Sequence, residues 1–93
     1  MAQKQAHIRI IGKVQGVYYR LWTQETAKEL GLTGWVRNVK DGNVEAVFCG
    51  EENAVTAMLA ACIEGPAAAK VENIEHLPPL DFSSNNFDVL PTV

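Results

Sequence analysis

No run of this 93-residue chain is apolar for long enough to span a bilayer, which takes about 20 residues. Nor does the opening MAQKQAHIRI contain an apolar core followed by a small-residue cleavage site, so no secretory leader is expected. These two absences predict a cytoplasmic protein with no membrane partner. Cysteine is scarce: Cys49 and Cys62 stand 13 positions apart, and neither is near His7 or His76. That spacing fits no zinc-ligand pattern, so no metal site is expected, and a cytosolic setting argues against a disulfide. The only serines are Ser83 and Ser84 in a late polar segment, which leaves no serine nucleophile with a histidine partner. Gly16 is followed by Val17-Tyr18 rather than Lys-Ser, and no G-x-G-x-x-G occurs. The nucleotide-cradling motifs are therefore missing, and no cofactor is expected. No two acids fall where they would form a paired-carboxylate site.

What is present is ordinary globular composition, 47% apolar and 20% charged, in a chain long enough for one domain over residues 1–93. The net charge of −3 hides an asymmetry. Seven of the eight basic residues lie in the first forty positions, opposed there only by Glu25 and Glu29. Nine acids face Lys70 in the remainder. A domain that wraps nucleic acid carries a basic stripe on a basic background. Positive charge confined to one half suits a small anion better.

The periodicities outline the fold. HIRIIGKV alternates around Ile8 and Ile10 and predicts a strand from about Ala6 to Lys13. A helix is predicted from about Leu21 to Leu30, with Thr23, Ala27 and Leu30 on its apolar stripe and Gly31 as its stop. TGWVRNVKDGNVEAVFCG reads as a hairpin. A three-residue loop from Lys40 to Gly42, with Gly42 left-handed, groups Val36 with Val44, Ala46 and Phe48 on one apolar face, a better grouping than a two-residue turn gives. Asn38 shares that face. In the second helix, from about Asn53 to Glu64, Val55, Met58, Leu59, Cys62 and Ile63 recur at i, i+3, i+4, i+7 and i+8. Asn53 is placed to cap it and Gly65-Pro66 to end it. A strand from Lys70 to Leu77 follows, and NNFDVLPTV alternates as a last strand that Pro91 confines to an edge. The order βαββαβ, with the final β unit as one strand or two, predicts an α+β, ferredoxin-like sandwich: an antiparallel sheet with two helices on one face. That fold hosts many functions, so function must be read from a site.

The candidate site is GKVQGVYYR, Gly12 to Arg20, a glycine-punctuated bend between a strand and a helix start. Amides at a helix start lack intrahelical partners, and glycines let them converge on an anion. Gln15, Gly16, Val17, Tyr18, Tyr19 and Arg20 can supply such a cradle. The planar guanidinium of Arg20 can bind two oxygens of a tetrahedral oxyanion at once. The plainer alternative is a tight loop whose arginine pairs with a surface acid. Asn38 is the second candidate, a carboxamide able to hold a water. Its plainer alternative is a hydrogen bond to the turn backbone.

Two segments carry a resemblance. Gly12 to Arg20 matches G-x-V-Q-G-V-x-[FY]-R, and Gly34 to Val44 matches G-[FYW]-V-x-N-x-x-x-G-x-V. Both patterns are those of the acylphosphatases, and the likeness runs through nearly the whole chain. It loosens only toward Pro91. The resemblance implies metal-independent hydrolysis of the carboxyl–phosphate bond of acyl phosphates to a carboxylate and inorganic phosphate. It implies that Arg20 and the amides of Gln15 to Arg20 bind the phosphoryl group, and that Asn38 positions the attacking water. It further implies a small-molecule substrate, inhibition by inorganic phosphate, no nucleic acid partner and a monomer. Tyr19 is read as core packing that holds the loop, Tyr18 as a variable rim position. Other readings compete. One is a non-catalytic anion-binding module of the same fold. Another is the acylphosphatase-like part of a larger hydrogenase-maturation protein, against which the short chain argues. The third is an RNA-recognition module, against which the acidic balance and the lack of an aromatic-basic strand motif argue.

Overall fold

The computed structural model describes residues 2–93. The chain runs β1 (Gln3–Lys13), α1 (Tyr19–Glu29), β2 (Thr33–Asn38), β3 (Val44–Glu51), α2 (Glu52–Glu64), β4 (Lys70–His76) and β5 (Phe87–Val89). The strands form one sheet in the order β4-β1-β3-β2-β5. Four of them pair antiparallel, and β5 joins the edge of β2 in parallel. The sheet is thus mixed, where the sequence pattern alone suggested an antiparallel one. Alternation identifies a strand but carries no sign of its direction, which here is set by the connector from β4 back to the opposite edge.

The β2–β3 hairpin takes the three-residue loop. Val36 pairs with Ala46 and Asn38 with Val44. Val39 N–H donates to the Asn43 carbonyl at 2.9 Å, and Gly42 at φ 99° closes the turn. Val36, Val44, Ala46 and Phe48 are fully buried on the face that also carries Ile8 and Ile10. Against them α1 lays Tyr19, Thr23 and Ala27, and α2 lays Val55, Met58 and Cys62. Thr23 is tolerated there because its hydroxyl donates to the Tyr19 carbonyl at 2.7 Å.

Two expected details of α2 are different. Ile63 is not core: it is exposed, since eight residues on from Val55 the helix has turned about 80° off the buried line. The cap is Glu51 rather than Asn53. The Glu51 carboxylate accepts from Asn53 N–H at 3.0 Å and Ala54 N–H at 3.2 Å, which puts Asn53 inside the first turn.

The opposite face of the sheet has no helix, yet Val47 and Trp35 are buried on it. The β4–β5 connector crosses here. Gln5 exchanges two hydrogen bonds with the backbone of Leu80, and His7 Nδ1 lies 2.8 Å from the Pro78 carbonyl. Beside it, Glu45 takes hydrogen bonds from His7 Nε2 and from the Arg37 guanidinium. Partial burial by itself would raise the Glu45 carboxyl, but these two partners outweigh it and hold it below its ordinary value.

Between Ile11 and Gly12 the β1–β4 register skips Glu72, a β-bulge on β4 beside the end of β1. Gly12 has φ 139°, and a Cβ there would strike the Lys70 backbone, so glycine is required. The segment that follows Lys13 is the bend before α1.

Candidate active site

The bend is pinned from below and open above. Val14 and Val17 are buried in the core, while Gly16 and Tyr18 point outward. Gly16 has φ 73° with open space around its missing Cβ, so glycine serves backbone conformation there, not close approach. Tyr18, at φ 72°, is the only non-glycine residue with positive φ among the described residues. A left-handed L-residue costs roughly 1–2 kcal/mol, and such strain is characteristic of sites that need a particular backbone path.

Tyr18 is also the N-cap of α1, and it offers no side-chain cap. The first helical hydrogen bond runs from Trp22 N–H to the Tyr18 carbonyl at 3.0 Å, so the amides before it are left without helical acceptors. No acid stands in the first turn. Instead Arg20 stands there, a cation at the positive end of a helix dipole, where cations are unfavourable. Among the described residues the only carboxylate ion pairs are His7–Glu45 and Arg37–Glu45. Arg20 therefore has no acidic partner, which removes the reading of a loop arginine tied to a surface acid.

The two tyrosines divide as expected. The Tyr19 hydroxyl donates to the Cys62 carbonyl at 2.7 Å and fixes the start of α1 to the end of α2. Burial pushes its phenol far up, and it stays protonated. Tyr18 is 53% exposed and donates to Glu25 Oε2 at 2.7 Å. That hydrogen bond raises its phenol and keeps the nearest acid on the helix occupied. Arg20, Gly16, Tyr18, Leu21 and Val89 share the lining of a cleft of about 250 Å³.

Asn38 ends β2 on the core side, 9% exposed, and its Oδ1 is buried with no hydrogen-bond partner. The alternative of a carboxamide engaged with the turn backbone is therefore not realised. Asn38 is not part of the lining of the Arg20 cleft. What connects the two is Gln15, whose side-chain Nε2 donates to the carbonyls of Val39 at 2.7 Å and Asn43 at 2.8 Å. Sequence reasoning assigned Gln15 only a backbone amide. A polar residue between a strand end and a glycine hints at a side-chain bond, but its partners, 24 and 28 residues away, are fixed only by the fold.

Elsewhere reactivity is suppressed. Burial pushes the Cys62 thiol up to about 12 and raises that of Cys49, so neither is a ready nucleophile. No three His, Cys, Asp or Glu side chains among the described residues group as metal ligands. No helix of the described chain is long and apolar enough to cross a membrane.

These features define a class: a ferredoxin-like α+β domain with an arginine and free amides at the start of its first helix. Comparison with known proteins narrows it. The sequence profile of the family described as Acylphosphatase matches residues 6–89. An acylphosphatase of Rhodospirillum rubrum is 62% identical over 71 residues, covering 76% of this chain and 78% of the relative. Among solved structures, an acylphosphatase from Bacillus subtilis superposes with a TM-score of 0.85 at 33% identity, covering 96% of this chain and 99% of that one. One from Coxiella burnetii gives 0.83 at 39% identity, covering 95% and 93%. The chain belongs to the acylphosphatase family.

Proposed function

We propose that the protein hydrolyses the carboxyl–phosphate bond of acyl phosphates, with Arg20 and the amides of Gln15 to Arg20 holding the phosphoryl group and Asn38 positioning the water. The carrying observation is Arg20 itself: a cation at an uncapped helix start, without an acidic partner among the described residues. A dianionic phosphoryl group supplies what both the guanidinium and the free amides lack.

The chemistry asks for little else. The leaving group is a carboxylate, a weak base that departs without a general acid. Transfer through a loose transition state is mostly positioning and charge stabilisation, here of the three non-bridging oxygens by Arg20 and the cradle. Asn38, at the end of β2, holds a water in line with the scissile bond through its carboxamide. As the P–O bond to water forms and the bond to the carboxylate breaks, the water's proton passes late to a phosphate oxygen. Carboxylate and inorganic phosphate leave, and phosphate, fitting the same cradle, competes with substrate. All charge stabilisation in this scheme comes from protein groups, so no metal is assigned a step. The same reading makes the protein a cytoplasmic, single-domain monomer acting on a small molecule.

The test is a spectrophotometric benzoyl phosphate assay with and without inorganic phosphate and EDTA. Turnover that phosphate inhibits competitively and EDTA leaves unchanged is expected. Asn38→Ala should lower kcat while phosphate still inhibits. Absence of turnover, EDTA sensitivity, or loss of phosphate inhibition in Asn38→Ala would each remove part of the reading.

A further inference from the structure

The cradle and the water holder belong to different elements. Arg20 rides on the first turn of α1, and Asn38 ends β2. Each can be correctly shaped and the pair still fail, because in-line attack depends on the separation between bound phosphorus and held water. Something has to fix that separation.

One side chain spans the gap. Gln15, in the middle of the bend, uses both hydrogens of its carboxamide: one to the Val39 carbonyl at 2.7 Å, one to the Asn43 carbonyl at 2.8 Å. Val39 directly follows Asn38. Asn43 directly precedes Val44, which faces Asn38 across the hairpin. The glutamine therefore grips the hairpin neck on both strands, one residue from Asn38.

The hairpin does not need this grip to form. Its neck is already closed by Val39 N–H to the Asn43 carbonyl at 2.9 Å and Gly42 N–H to the Val39 carbonyl at 3.0 Å. Each of the two carbonyls is thus paired without Gln15 and accepts its amide as a second hydrogen bond. Nor does the bend need it for anchorage, since Val14 and Val17 already bury themselves in the core. What the two hydrogen bonds add is a fixed distance between the loop that carries the cradle and the strand end that carries Asn38.

We propose that Gln15 is a positioning residue for this reaction: its side-chain amide sets the distance between the phosphoryl cradle and Asn38, and so acts on water attack rather than on phosphate affinity. The inference rests on the roles given above to Arg20 and Asn38, and its test separates the two.

Gln15→Glu keeps the shape and the backbone N–H of the cradle but, ionised, offers no donor to either carbonyl. Gln15→Met is the neutral second variant if the buried charge prevents folding, which a melting curve reports. Each is measured alone and combined with Asn38→Ala, reading kcat on benzoyl phosphate and the inhibition constant of inorganic phosphate. A misplacement of the two halves should lower kcat on the order of 10- to 100-fold while the phosphate constant stays within about threefold. In the Asn38→Ala background the same change should cost little more, because the group being positioned is gone. Equal fold-losses in both backgrounds would overturn the proposal and leave Gln15 a loop brace. Weakened phosphate inhibition at unchanged kcat would overturn it too, by making Gln15 part of the cradle. If Asn38→Ala alone leaves kcat untouched, the water-holding role fails first, and the positioning role falls with it.

Discussion

The two helices of this protein begin in opposite ways. At α2 the chain meets its own electrostatic need: the Glu51 carboxylate accepts from Asn53 and Ala54 N–H, and Glu52 adds a second negative charge to the first turn. At α1 every one of these devices is missing. The N-cap is a left-handed tyrosine with no capping bond, no acid stands in the first turn, and an arginine is there instead. Both ends carry the same unpaired amides and the same positive end of a dipole. One is satisfied by the protein, and the other, in the proposed function, by the phosphoryl group. Stability and activity are thus separated by about thirty residues of sequence, and substitutions at the two ends should affect different properties.

The largest effect expected at either end is that of Arg20→Lys. A lysine keeps the charge but not the planar fork. Losing preorganised stabilisation of this kind costs roughly 10²–10³ in kcat, measurable with acetyl or benzoyl phosphate, and the melting temperature should not fall. Near-native turnover would erase the contrast between the two helix starts. At the other end, Glu51→Ala removes the cap and should destabilise the fold by about 1 kcal/mol in urea unfolding. Its kcat/KM on benzoyl phosphate should be unchanged. A drop in turnover there, without loss of folded protein, would mean that the α2 start takes part in the chemistry as well.

Much of this was legible in the sequence, and the reasons are local. The hairpin register followed from one choice, which of two turns gave Val36 an apolar face, and Gly42 settled it. The open start of α1 was legible because a helix start, glycine and arginine fall within nine consecutive residues, Gly12 to Arg20. Tyr19 and Tyr18 were separable as core and rim. What stayed hidden was long-range or directional. The parallel pairing of β5 depends on a connector that crosses the uncovered face, and nothing in NNFDVLPTV encodes that route. Asn53 is the better cap by residue type, yet Glu51 holds the position because β3 runs directly into α2 and its longer side chain folds back over the first turn. The missing partner of Asn38 Oδ1 and the double grip of Gln15 exist only once the hairpin stands beside the bend.

In the proposed function the open start of α1 is a phosphoryl cradle organised by Arg20. Thermal unfolding with increasing inorganic phosphate tests it most directly, because it needs no turnover and can be run on inactive variants. A ligand at one hundred times its dissociation constant stabilises the folded state by about 2.7 kcal/mol. Wild-type protein, Glu51→Ala and Asn38→Ala should all show a saturable rise in melting temperature, and Arg20→Lys should show little or none at the same phosphate concentrations. A phosphate-dependent rise in Arg20→Lys equal to that of the wild type would contradict the account.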